Sequence, residues 1–367
     1  MYLKNRSAFW FSAAIPVIGV LVFAACGGTD SGIGASDGGS SGDVSNGSGR
    51  DSGPSTKDSA ADTGPQIVKI GGRNFAARKL YLGDSDRSGV QSPTAWEAYG
   101  ANIDGKVTTS ESTDVCTLAA GASTSAQVDG NDGIDNSFGE NIIPLILSVA
   151  GSDFATSLNS GIEAGAATFM LDLSGLTDDP AQTLSPVSAQ LFSGVSIGTP
   201  TWTLSGEWGA YQGSLVGGSL ASGALTKFPT AAISSGTWSS GTSGDLPLNL
   251  PLGSGTLALV VHHAVISFAH SSANSATLGN VSGVLATDEL IAAFQKAAAS
   301  ISLSLCDGSA FASIAAQLEA ASDILKDGTN TSGVSCDGIS IGFGFDATEV
   351  SPPDIALGDP SSPNLCE

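Results

Sequence analysis

The chain has 367 residues and carries 13 Lys and Arg against 35 Asp and Glu, a net charge of −22. A surface of that sign repels nucleic acid and anionic headgroups, which argues against polyanion partners. Arg87 is the last arginine. Arg forks are the usual grip on phosphate and carboxylate, so a nucleotide or phosphoryl-transfer site is not expected beyond it.

The first element is an apolar run over residues 8–25, preceded by Lys4 and Arg6 and ending in Ala24-Ala25-Cys26-Gly27. A basic start, an apolar middle, small residues and then a cysteine form the layout that a lipoprotein signal peptidase reads. Phe23 stands where such signals most often have Leu. The mature protein is expected to begin at an acylated Cys26, tethered to a membrane with its body outside the cytoplasm. Gly27 follows the cysteine, where no Asp stands, and by resemblance to lipoprotein sorting in two-membrane bacteria this directs the chain to the outer membrane. The alternatives are an uncleaved anchor or ordinary secretion. The run is just long enough to span a bilayer, which takes roughly 20 residues, but Ser12 and Pro16 weaken it as a permanent span.

Residues 27–66 read as a tether. Of these 40 residues 26 are Gly, Ser or Asp, and Ile33 and Val44 are the only large apolar ones. Such a segment cannot bury enough surface to offset its ordering entropy and is expected to stay disordered. As a flexible coil it would hold the domain about 35 Å from the membrane.

Order is expected from Ile67 onward, as one β-rich extracytoplasmic domain over 67–367. Residues 67–83 predict one or two strands, 92–100 a short helix or turn, and 137–163 one or two helices with Pro144 in a first turn. Strands are predicted at 167–173, 187–195, 200–206, 212–217, 230–239 and 246–250, with a long one at 256–270. Two helices follow. Thr287 caps the first, with Asp288 and Glu289 placed for its dipole. The second runs over about 309–326 with an apolar 3–4 periodicity ending at Gly328. A last strand covers 339–345. Strands dominate and helices cluster at both ends, so the expected class is α+β, mainly β, either an antiparallel sheet or a β-sandwich with helical additions.

Several groups could carry chemistry. Asp84-Ser85-Asp86-Arg87-Ser88-Gly89 has the D-x-D-x-S-G form that opens many calcium loops, with Asp84, Asp86 and Ser88 as ligands. Position twelve is Ala95, so Glu97 or Asp104 would have to supply the bidentate acid. A second oxygen-rich loop runs over 129–136, with Asp129, Asn131 and Asp135 as candidate calcium ligands. Plain turns and helix caps account equally for both. Gly338-Ile339-Ser340-Ile341-Gly342 fits G-x-S-x-G, but a nucleophile elbow needs a helix after the serine, and here strand continues. Period two puts His262 and His270 on one face of the long strand, too far apart to share a metal, with His263 opposite. Trp202, Trp208, Tyr211 and Trp238 could form a sugar-stacking face, though burial as core anchors is the default. Apart from Cys26, four cysteines remain, an even number that reads as two disulfides in an oxidising compartment. Cys306 and Cys336 flank one predicted helix and are expected to pair, leaving Cys116 for Cys366.

Residues 81–87 (Tyr-Leu-Gly-Asp-Ser-Asp-Arg), Ala95-Trp96, residues 102–106 (Asn-Ile-Asp-Gly-Lys) and residues 132–139 (Asp-Gly-Ile-Asp-Asn-Ser-Phe-Gly) together resemble predicted lipoproteins of the myxobacterial type, which carry similar tethers. The resemblance covers most of 67–367. It implies a cell-envelope origin and carries no activity or catalytic residues with it. The expected role is binding or structural, with calcium as the candidate stabilising ion, no nucleic-acid partner and an envelope or extracellular ligand. The rival is a secreted hydrolase acting on polysaccharide, which would need a cleft with paired carboxylates or a Ser-His contact.

Overall fold

A computed structural model describes residues 72–252, 255–301, 303–306 and 308–358. The leader, Cys26, the tether and Cys366 lie outside the described residues. The elements in chain order are β1 (Arg73–Tyr81), α1 (Ile143–Ala150), α2 (Phe154–Glu163), β2 (Thr168–Leu173), β3 (Ala189–Ser196), β4 (Trp208–Tyr211), β5 (Thr226–Phe228), β6 (Ala232–Ser234), β7 (Thr237–Ser239), β8 (Gly244–Leu252), β9 (Gly255–Ser272), β10 (Ser275–Ala286), α3 (Thr287–Ile301), α4 (Gly308–Ala320), β11 (Gly338–Val350) and β12 (Asp354–Ala356). The class is α+β and mainly β: 35% strand, 26% helix and one mixed sheet of 12 strands.

The strand order is β12-β4-β3-β2-β1-β11-β10-β9-β7-β6, with β5 on β3 and β8 on β9. Every pair is antiparallel except β12 on β4. The β6 end of this path folds back onto the β3 arm of the sheet. Ala189, Gln190 and Leu191 of β3 pair with β5, and just before them Leu184 bridges Ile233 of β6 while the Val187 N–H donates to the Ala231 carbonyl. The sheet therefore curls into a ring, which removes most of its free edge.

Bulges on β9, β10 and β1 bend the sheet toward closure. On β9, Val261 and Ala264 both face the core with His262 and His263 between them, and His263 takes φ 53°. On β10, Leu278 takes φ 51° ahead of Gly279, and the Phe345 ring covers Gly279 so closely that a Cβ there would lie 2.6 Å from it. On β1 the register slips between Ala77 and Lys79.

One core fills the ring, with Phe75, Leu171, Leu191, Trp238, Phe268, Ile341 and Phe345 among its buried side chains. A smaller cluster of Ala76, Met170, Phe192, Trp208, Ala210 and Leu215 packs on the outer face. Pro144 falls in the first turn of α1, as its missing N–H requires, and the chain before it widens into a π-turn over Phe138–Ile142. Among the described residues no single helix is long and apolar enough to cross a membrane. Phe138–Ala150 and Phe154–Glu163 pass that test only as a pair bent by 87°.

Four local expectations need correction. Residues 200–206 and 212–217 are turns, because Pro200, Gly206, Gly213 and Gly217 interrupt pairing. The stretch 230–239 splits at Ser235-Gly236 into β6 and β7. β10 has no counterpart among the predicted strands, since its Ser, Gly and Asn residues hide the alternation. α4 stops at Ala320, because Ile324 leaves the helical path to bridge Gly338.

Candidate functional site

Between β1 and α1 the chain makes a long excursion, residues 82–142, and the candidate calcium residues all lie on it. Polar side chains pin it to the sheet. Asn136 donates to the Trp96 and Tyr99 carbonyls and accepts from the Gly139 and Gly342 N–H groups. Asn280 of β10 accepts from the Gly100 N–H and donates to its carbonyl. The Ser137 N–H donates to Ser340 Oγ.

This contact explains the G-x-S-x-G run. Ile339, Ile341, Phe343 and Phe345 point into the core, while Ser340, Gly342 and Gly344 face the excursion and Gly338 packs under the Leu325-Lys326 backbone. A Cβ on Gly342 would lie 2.2 Å from the Tyr99 carbonyl oxygen. Ser340 is fully buried in mid-strand, and its hydroxyl donates to Asp323. The pattern is a packing seam that requires small residues.

The Asp84 loop is a self-contained turn. The Asp86 carboxylate accepts from the Ser88 N–H, the Ser88 hydroxyl and the Val90 N–H, which holds it below the usual carboxylate range. Arg87 fastens the loop: its guanidinium lies 5.1 Å from the Tyr81 ring and 5.4 Å from Tyr99 and donates to the Gly279 carbonyl. Asp84 does not join Asp86 and Ser88 in this network. Its Oδ1 is cut off from solvent without a hydrogen-bond partner. Asp84 and Gln91 form a wall shared by two open grooves. One, of about 670 Å³, includes Lys79, Asn159 and Glu163. The other, of about 560 Å³, includes Trp96, Glu140 and Ser148. Burial, then the nearby charge of Glu97, raises the Glu140 pKa against a hydrogen bond from Asn141.

The second loop gathers acids. Asp135 is buried, and burial followed by the charge of Asp104 pushes it up to about 8, against a hydrogen bond from the Ile103 N–H. Burial likewise pushes Asp129 up to about 6 and Asp323, bonded to Ser340, up to about 7. The fold thus brings Asp129 and Asp135 together and adds Asp104 and Asp323. Asn131 is exposed, and only its backbone carbonyl is engaged, by the Ile134 N–H. As the side chains stand, no three His, Cys, Asp or Glu among the described residues are arranged to hold a metal ion. Asp104 sits in Asn-Ile-Asp-Gly-Lys, and its turn chemistry was the one sequence signal that could have added it to the loop.

Cys116 bonds to Cys336, across 220 residues, and not to Cys366. Cys336 is therefore not the partner of Cys306, although Cys306 is itself disulfide-bonded. Proximity to one helix misled the pairing. The deciding contact is tertiary: the Thr117 N–H donates to Val334, and the Cys336 N–H donates back to Thr117.

The β9 bulge switches parity, so His262 and His270 lie on opposite faces, contrary to the period-two expectation. His270 is buried against Phe75, with both ring nitrogens unpartnered. His262 sits between Asp245 (3.2 Å) and Glu289 (2.9 Å). Burial works against its charged form, but the two carboxylates outweigh it and raise its pKa. With both nitrogens engaged, His262 has none left to activate a hydroxyl. Trp208 and Trp238 are buried, and Trp202 packs 4.6 Å from Trp208, so these tryptophans form no open sugar-stacking face.

Comparison with protein-family models, with the curated proteins and with the solved structures returns no match in any of the three.

Proposed function

We propose that this chain is a lipid-anchored protein of the outer membrane whose tethered domain binds a polar, hydroxyl-rich envelope or extracellular ligand in the grooves beside Asp84. The lipidation reading rests on the Cys26 signal and the Gly/Ser/Asp tether, and the resemblance to myxobacterial-type lipoproteins agrees with it. The observation that carries the binding reading is the unpartnered, solvent-shielded Oδ1 of Asp84 at the wall between two open grooves. A buried acceptor without a donor is costly, and turning the carboxylate into either groove would let a ligand hydroxyl satisfy it. The neighbouring Gln91 amide and the Ser148 hydroxyl oxygen, which still can accept, offer further polar contacts suited to a saccharide.

A second reading has one observation in its favour. Asp84 and Glu140 line the same groove, and the raised pKa of Glu140 suits a general acid, which is the requirement of polysaccharide hydrolysis. One experiment addresses both. The protein is titrated with envelope oligosaccharides while products are followed by chromatography. Binding without turnover that is lost in Asp84→Ala supports the first reading. Turnover lost in Glu140→Gln supports the second. Absence of binding and turnover across the panel would sink both.

A further inference from the structure

Loop 103–108 and turn 129–135 bring three aspartates to one place, and the backbone grips each by one oxygen. Asp104 Oδ1 accepts from the Lys106 N–H at 2.8 Å. Asp129 Oδ2 accepts from the Thr108 N–H, and Asp135 Oδ2 from the Ile103 N–H. The remaining oxygens have little to satisfy them. Asp104 Oδ2 is shielded from solvent with no partner, and the Asp129 and Asp135 carboxyl groups meet within hydrogen-bonding range of each other. Lys106 does not neutralise them, because its ammonium turns to Asp114 and the Asn330 carbonyl. Asp323 adds charge nearby, but Ser340 takes both of its oxygens.

Thr108 points independently to a ligand. It is 3% exposed, and its hydroxyl lies toward Asp129 without reaching hydrogen-bond geometry with any atom. A buried hydroxyl left without a hydrogen bond beside the Asp129 carboxylate is placed as a neutral oxygen donor. Carboxylate and hydroxyl oxygens with no nitrogen or sulfur among them suit a hard cation, and a mixed, flexible set suits calcium better than magnesium.

We propose that Asp104, Asp129, Asp135 and Thr108 bind one calcium ion, with water completing its shell. The ion clamps loop 103–108 onto turn 129–135. The side chains do not close on an ion as they stand, so binding requires Asp104 Oδ2 to swing toward the other two carboxylates. The Asp84 loop is not part of this site, since its Asp86 carboxylate is already engaged in its own turn.

The test uses the full chain in detergent, stripped with chelator. Calcium uptake is measured by equilibrium dialysis and elemental analysis, and melting is followed with chelator and at ~1 mM calcium. The expected result is one calcium per chain and a melting temperature several degrees higher with the ion. Asp104→Asn and Thr108→Val should each weaken binding by about tenfold or more while melting like the wild type in chelator. Asp104 is only partly buried, so its variant is expected to fold. Asp86→Asn should keep full uptake. Wild-type protein that takes up no calcium overturns the proposal. So do unchanged binding in Asp104→Asn, loss of uptake in Asp86→Asn with retention in Asp104→Asn, and a response to zinc alone.

Discussion

Asp172→Asn should stabilise this protein at neutral pH. Asp172 lies on β2 opposite Asn74 of β1, each residue is 1% exposed, and each has a buried Oδ1 with no hydrogen-bond partner. Burial pushes the carboxyl from its ordinary 3.8 up to about 6, against a backbone hydrogen bond from Gly72. The rise means that the folded state holds the proton more tightly than the unfolded chain. Below pH 3.8 both states are protonated and no penalty exists. As pH rises from 3.8 to about 6 the unfolded chain ionises first, so stability falls. Above about 6 the loss is constant, on the order of 2–3 kcal/mol from the size of the shift. Asparagine keeps the shape, cannot ionise, and offers an N–H₂ to the bare Asn74 oxygen. Urea unfolding of both proteins at closely spaced pH values between 4 and 7.5 tests this. The variant's advantage should grow from near zero at the acid end and level off above about pH 6. A variant no more stable at pH 7, or an advantage independent of pH, would refute the reasoning.

Non-reducing peptide mapping should recover Cys116 joined to Cys336. Cys116→Ser should destabilise the domain by roughly 4–5 kcal/mol, given the 220-residue separation, measured by chemical unfolding under oxidising conditions. Arg87→Ala removes a guanidinium from two tyrosine rings and from the Gly279 carbonyl, and should cost about 1–2 kcal/mol and increase amide exchange over residues 84–92. The His262 ion pairs hold its pKa above 6.5, so their contribution is fully present below 6.5 and is lost as pH rises through the folded value. Glu289→Gln should therefore lower the melting temperature at pH 5.5 and leave it nearly unchanged at pH 9; a pH-independent effect would discount the pair. Cys26→Ser should release the protein from membranes into the soluble fraction, and a wild-type chain already soluble would rule out the anchor.

Local chemistry determined what could be read from the residues in order. The apolar run ending in Ala24-Ala25-Cys26 and the Gly/Ser/Asp composition of 27–66 are patterns made by neighbours in the chain, and the leader and tether expected from them rest on the sequence alone. The same holds for the turn at Asp86, the placement of Pro144 and the alternation of Ile339, Ile341, Phe343 and Phe345, all set by contacts within a few residues. Tertiary structure decided the rest. Ring closure depends on 184–191 finding 226–233, and the bulge at His262-His263 reverses the face on which His262 lies. Cys116 met Cys336 because loop closure across 220 residues is settled by the packing of the excursion, which spacing along the chain does not encode. Asp104 joined Asp129 and Asp135 for the same reason: charges separated in sequence share one low-dielectric pocket only after the backbone donors of 103–108 have folded onto them.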